Sequence, residues 1–405
     1  MRVLGVVQSY FPFQQRGGPV FKVRSLAEGL AKRGHAVSIL TADLGLDHGN
    51  GSGGIKPKPC PFGWKSETGG VETIYLSTFG RYRALTVNPG VVGFSRASLV
   101  AYDLVHIFGL YDFLGPVVSH YCRRRAIPYV LEPMGMYRPI VRNLELKRLY
   151  HRMLGARMIG GARFLIATSD QERQELAGST IARAAIVVRR NGIDRPETMP
   201  KRGEFRRQRG IAPDSKVVLF LGRMVSKKSP DLLIKAFAAW ISRRLDGRRA
   251  TLVLAGPEER DNFGSGLRSL VQKLGISANV LFVGPLYDDE KWQAYRDADV
   301  FVLPSQNENF GNAAAESAVC GTPIVVTDRC GIASYVRSAG LIIRHDQTDL
   351  EGALERLLGD DIYYRACQEG CARIADGLSW EEPLNYTEQI YRQCLSDGNL
   401  QEAAV

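Results

Sequence analysis

Apolar and polar positions follow two periods along this chain. Short runs rich in β-branched residues recur, separated by stretches with an apolar residue every three or four positions, the pattern of a parallel sheet covered by helices on both faces. Residues 3–7 predict a first strand, Gly17-Gly18-Pro19 a turn, 21–33 an amphipathic helix closed by Gly34, and 35–41 a second strand. Strands at 72–76, 104–108, 128–131, 164–168 and 186–188 complete one Rossmann-like domain. The glycine- and proline-rich stretch 45–70 has almost no apolar period and is expected to be a long, mobile loop. The pattern breaks into polar sequence over 191–210, read as a linker. A second series of strands then follows at 216–221, 251–255, 280–283, 300–303 and 323–327. The class is therefore α/β, with Rossmann-like domains over 1–195 and 196–379. The last helical run, within 380–405, comes after the second sheet is complete and is a candidate to pack back on the first domain.

Composition narrows the class. With 405 residues, 45% of them hydrophobic and 23% charged, the chain can bury a sizeable core, which excludes a disordered or fibrous protein. No stretch approaches the roughly 18 apolar residues that cross a bilayer, and the opening MRVLGVVQSYFPFQQ lacks the features of a signal peptide, so a cytoplasmic location is expected. Seven scattered cysteines without a CxxC pair suit reduced, buried thiols. The net charge of +11 is one-sided: residues 1–198 hold 27 Lys+Arg against 14 Asp+Glu, and the second half is near neutral. The first half therefore predicts an anionic partner.

Two segments carry chemistry. In LPSQNENFGNAAAESAVCGTPIV, after the strand at 300–303, a polar loop leads to a helix with Asn312 as its expected cap. Backbone N–H groups of Asn309, Phe310, Gly311 and Asn312, with the helix N-terminus, make a site for phosphate. Glu308 and Glu316 would repel a phosphate and better accept hydrogen bonds from sugar hydroxyls; the alternative is a capped surface helix with solvated glutamates. In FLGRMVSKKSPDLLIKAF, Arg223 and Lys228 flank a loop between a strand end and a helix. Alone they read as solvated loop residues. At the same end of a parallel sheet as the first segment they form a diphosphate clamp.

With these blocks, and with Gly17-Gly18, RGHAV, ATSDQERQEL and Asn191-Gly192-Ile193-Asp194, the chain resembles family 4 of the retaining glycosyltransferases, the glycogen-synthase-like group. The resemblance implies a GT-B fold, two Rossmann-like domains facing each other across a cleft, with the acceptor on the first and a nucleotide-diphosphate sugar, UDP- or GDP-linked, on the second. It implies that Arg223 and Lys228 hold the diphosphate, Glu316 the ribose and Glu308 the donor sugar. It also implies that Gly17 and Gly18 close over the diphosphate, and that a hexosyl group moves with retention, without a metal or other cofactor. His106 is either a catalytic-site residue or a core histidine at a strand end. Where many members carry a Pro-His-Gly histidine this chain has Met134, so that hydrogen bond is absent or comes from a neighbour such as Glu132.

Asp297-Ala298-Asp299 matches a metal-binding DxD pattern but sits where a helix ends before a buried strand, and helix termination explains it better. Residues 143–163 fit either a basic amphipathic helix able to lie on anionic lipid or a domain helix with solvated cations. Arg81, Arg83 and Arg123-Arg124-Arg125 add cations. These features suggest a glycan or lipid-linked acceptor, polysaccharide or glycolipid synthesis, and a peripheral position at the inner membrane face. The alternatives are a catalytically degenerate nucleotide-sugar binder and a GT-B-fold epimerase. A nucleic-acid partner is not expected, because aromatics do not interleave the basic runs.

Overall fold

The β-branched runs of the first half pack side by side because each is apolar on both faces. In a computed structural model describing residues 1–13, 18–44, 46, 55–82, 85–137, 144–178, 184–243, 249–258 and 263–402, the chain divides into two units: Met1–Gly192 with Trp380–Val405, and Ile193–Ser379.

In the first unit, strands β1 (Arg2–Val7), β2 (Ala36–Ala42), β3 (Lys58–Cys60), β4 (Gly63–Thr68) and β5 (Val71–Leu76) precede a separate ribbon of β6 (Gly80–Tyr82) and β7 (Leu85–Val87). β8 (Leu104–Phe108), β9 (Tyr129–Glu132), β10 (Phe164–Ala167) and β11 (Ala185–Val188) follow, and the main sheet runs β11-β10-β9-β8-β1-β2-β5-β4-β3. It is parallel from β11 to β5, with β4 and β3 antiparallel at its edge. Side chains alternate across it. Leu4, Val6, Val105 and Ile107 face one core, while Val3, Val7, Val37 and Ile39 face another that also takes Leu384, Ile390 and Tyr391 of the Glu381–Glu402 helix. The C-terminal helix is thus an integral layer of the first unit.

Two expectations are corrected here. The described part of 45–70 is largely an edge hairpin, in which half-exposed, polar β3 and β4 are held by their backbone ladder to β5 and not by an apolar period. The stretch 143–163 is an interrupted helix: Leu144–Tyr150, a π-turn over His151–Gly155, then Ala156–Gly160. Met158 and Ile159 are buried, whereas Leu149 and Met153 stay exposed beside exposed Arg148 and Arg152. Met158 and Ile159 thus pack into the core of the first unit as a domain helix would.

The second unit is an all-parallel sheet of β12 (Lys216–Leu221), β13 (Ala250–Ala255), β14 (Val280–Gly284), β15 (Val300–Leu303), β16 (Ile324–Thr327) and β17 (Gly340–Ile343), in the order β14-β13-β12-β15-β16-β17. Val217, Leu219 and Phe301 enter one core and Val218, Phe220 and Val302 the other. The order reverses between β12 and β15, and ligands of open α/β sheets bind at such a switch point, beyond the carboxyl ends of the strands. Both chemistry-bearing segments start there.

Candidate functional site

β12 ends at Leu221, and the chain runs through exposed Arg223 into a short 3-10 turn, Ser226–Lys228, before the helix Pro230–Ser242, whose proline at the first position suits a helix start. β15 ends at Leu303 and leads to Glu308 and the helix Asn312–Val319. The two loops are stitched together: Gln306 N donates to Lys227 O at 2.9 Å, and Lys228 Nζ donates to Glu308 Oε2. Both members of that ion pair are about four-fifths buried. The sequence assigned Lys228 and Glu308 to different parts of a ligand; the structure brings them into direct contact.

The Glu308 loop is held by a segment the sequence did not single out. Glu308 N donates to Arg329 O, Gly331 N to Glu308 O, and Ile332 N to Phe310 O at 2.7 Å, so residues 329–332 brace it like an added strand. Phe310 is buried under this brace. The helix cap differs from expectation. Gly311, not Asn312, holds the N-cap position, at φ 106°, and no side chain caps the helix. A positive φ turns the chain sharply into the helix, and glycine adopts it at no steric cost. The first N–H groups of Asn312–Val319 therefore lack a side-chain acceptor from the cap, which leaves them suited to an anion.

Glu316, one turn into that helix, accepts from Lys291 Nζ at 2.9 Å and from Tyr295 Oη at 2.8 Å, both on the helix Asp288–Asp297. Burial and the adjacent Glu316 charge push the Tyr295 phenol well above its usual range, so it stays a donor. A carboxylate offers about four lone-pair positions, so Glu316 retains two for a diol. Lys291 and Tyr295 were legible only as an i,i+4 pair on one helix face, with nothing to show what that face meets.

The Asp297 and Asp299 carboxylates are consumed structurally. Asp297 accepts from Gly203 N and Arg206 N, and Asp299 from Val217 N and the Arg206 guanidinium. Among the described residues, no group of three or more His, Cys, Asp or Glu is placed to hold a metal.

In the first unit, Gly17 and Arg83 lie outside the described residues, and Gly18 opens the helix Gly18–Lys32. Of the two readings of His106, the structure shows the core histidine on β8, with Nδ1 2.8 Å from Tyr391 Oη and its ring stacked on Phe108 at 3.8 Å. Burial lowers its pKa to about 4, Glu132 opposing, so the ring is neutral near pH 7. The sequence could not separate these readings, because a central strand covered on both faces hides every side chain on it. Glu132 does not stand in for the missing histidine either. It is wholly buried, paired with Lys22 and with Arg189 Nη2 at 2.5 Å, close to Thr168. Burial alone would raise its carboxyl, but Arg189 and Lys22 outweigh that and hold it well below the usual range. Met134 and Gly135 both take left-handed conformations, φ 55° and 72°, and Glu172 accepts from Gly135 N at 2.5 Å and Thr168 N at 2.8 Å. The turn that carries Met134 is thus fixed by a glutamate of the ATSDQERQEL block.

A chain that builds two Rossmann-like units, with its last helix returned to the first, has the GT-B architecture. A family model described as "Glycosyl transferase 4-like domain" matches residues 17–192, and one described as "Glycosyl transferases group 1" matches 201–372. The chain belongs to this family of glycosyltransferases. It is 31% identical to D-inositol 3-phosphate glycosyltransferase 2 of Catenulispora acidiphila over 79% of this chain and 80% of that protein. It is 35% identical to D-inositol 3-phosphate glycosyltransferase of Actinosynnema mirum over 60% of each, so that match spans under two thirds of the relative's length. Among solved structures, Anabaena HepE in complex with UDP-glucose is similar in fold, with a TM-score of 0.72 at 17% identity over 98% of this chain and 100% of that one. No helix among the described residues is long and apolar enough to cross a membrane.

Proposed function

We propose that the protein transfers a hexosyl group, with retention, from a UDP- or GDP-linked sugar to an anionic acceptor, and that the donor binds at the carboxyl ends of β12 and β15. The observation that carries this reading is the joining of Lys228 and Glu308 beside the helix N-terminus at Gly311. Lys228 keeps two N–H donors for phosphate oxygens while Glu308 spends one oxygen on it. Arg223, on the same loop, is suited to grip the diphosphate bidentately. Glu316 would accept from the ribose. The bond from the anomeric carbon to the diphosphate oxygen breaks with oxocarbenium character. The acceptor oxygen then bonds on the same face, and its proton passes to the departing phosphate oxygen. Arg223, Lys228 and the helix N-terminus stabilise the charge that develops there, so no metal is required of the mechanism.

The acceptor reading rests on the surplus of cations in residues 1–198 and on exposed Leu149 and Met153 among arginines. These suit a lipid-linked glycan phosphate at an anionic membrane surface. The name carried by the relatives makes D-inositol 3-phosphate the other acceptor to assay. A thermal-shift panel of UDP, GDP and ADP finds the donor base, and Lys228→Ala then tests the site. The expected loss in kcat/KM is about a hundredfold, or about 2.7 kcal/mol. An unchanged kcat/KM in that variant would sink the assignment.

A further inference from the structure

The backbone just after Lys228 is strained. Ser229 holds φ 50° and ψ 47°, a left-handed conformation that non-glycine residues adopt at a cost, and it is buried between the 3-10 turn that carries Lys228 and the helix Pro230–Ser242. A serine at this position ordinarily caps the helix with its hydroxyl, but here no side-chain cap bond forms. The hydroxyl lies instead 3.2 Å from Ser226 O and 2.9 Å from His345 Nε2. Ser226 O already accepts from Ser229 N at 3.0 Å, so the shorter contact, to His345 Nε2, is the main tie on the serine side chain, with either group able to supply the proton.

His345 is itself tightly placed. It sits between β17 and the helix Gln347–Gly359, where Arg344 grips Asp349 through Nε at 2.7 Å and Nη2 at 2.8 Å. On its other side, Asp346 accepts from Thr348 N and Asp349 N. Such a braced turn can hold a strained neighbour that a solvated side chain could not.

We propose that His345 is a positioning residue for donor binding: its hydrogen bond through Nε2 holds Ser229 left-handed and so sets the turn that aims Lys228 at the diphosphate. The inference rests on the donor-site reading above and adds a residue 116 positions away from Ser229 in sequence. Without the imidazole, Ser229 relaxes toward ordinary backbone angles and the 3-10 turn rotates with it.

The test is a double-mutant cycle read as the Kd for UDP and for GDP by titration calorimetry on the full chain, with melting curves to confirm folding. His345→Leu fills the same space without a hydrogen-bonding group and is expected to weaken the preferred nucleotide about tenfold, the factor set by left-handed strain. His345→Gln keeps a group that can donate or accept and is expected to stay within about threefold of wild type. In a Ser229→Gly background, where the left-handed conformation carries no steric cost, His345→Leu is expected to change Kd less than about twofold. No loss in His345→Leu overturns the proposal. A loss that persists in the glycine background also overturns it, because His345 would then act on the ligand directly. Lys228→Ala is titrated in parallel: if it binds UDP and GDP like wild type, the donor-site reading fails and takes this inference with it. If only Lys228→Ala weakens binding, the positioning role alone fails.

Discussion

Replacing Glu132 with glutamine tests whether the interior of the first unit is held by charge. The carboxylate is wholly buried, Arg189 is equally so and Lys22 is 4% exposed, so three ionic groups share a space closed to water. Glutamine keeps the shape of the side chain and creates no cavity; only the charge goes. Removing one partner from a buried ion pair costs about 3–5 kcal/mol, because the remaining charge has lost its compensation. Here two cations remain, and one can respond. Burial already lowers the Lys22 pKa, and Glu132 is the main influence opposing that shift. In Glu132→Gln the folded Lys22 pKa falls further, so the unfolded state binds more protons between that value and the ordinary lysine range. Stability of the variant then rises with pH across that window. We expect a loss of about 4 kcal/mol at pH 7, which lowers Tm by roughly 10 °C for a unit of about 200 residues, and a smaller loss at pH 9.5. Differential scanning calorimetry at the two pH values measures both. A variant melting within about 2 °C of wild type at pH 7, or a deficit that grows with pH, would refute the buried-charge account.

Two further outcomes follow from individual sites. Gly311→Ala places a Cβ at φ 106° and 3.0 Å from Ile332 Cγ2, so we expect about 1–2 kcal/mol lost from the second unit, together with weaker nucleotide binding, both read by thermal shift with and without UDP or GDP. Asp112 is buried, which raises its carboxyl to about 6, against a backbone donor, Gly115 N, at 2.7 Å. The folded state therefore holds a proton that the unfolded state has released, and stability falls as pH rises from about 4 to about 6. Asp112→Asn removes this term and is expected to stabilise the first unit at pH 8 by up to about 3 kcal/mol, the gain vanishing below about pH 4; urea melts at the two pH values check it.

Much of the fold was legible because its strongest signals are local. Val217, Leu219, Val253 and Phe301 announce strands by their own neighbours in sequence. The sheet margins are quieter: β3 and β4 carry polar residues, and β17, at the edge of the second sheet, is only partly buried, so none of the three was foreseen. Arg223, Lys228, Glu308 and Glu316 were nameable from residue type and spacing, but not their partners. Lys228 meets Glu308 across 80 positions, Glu316 meets Lys291 across 25, and His106 meets Tyr391 across 285.

The sequence by itself determined two Rossmann-like units, the segments that bear the chemistry and the concentration of positive charge in the first half, because hydrophobic periodicity and charge are properties of the chain read in order. The tertiary structure alone decided that His106 is core, that Glu132 is locked between two cations and that Ser229 is strained against His345. Each of these depends on which distant side chain arrives at the same point and on how far water is excluded there, and burial multiplies the energy of those contacts well beyond anything a linear pattern records.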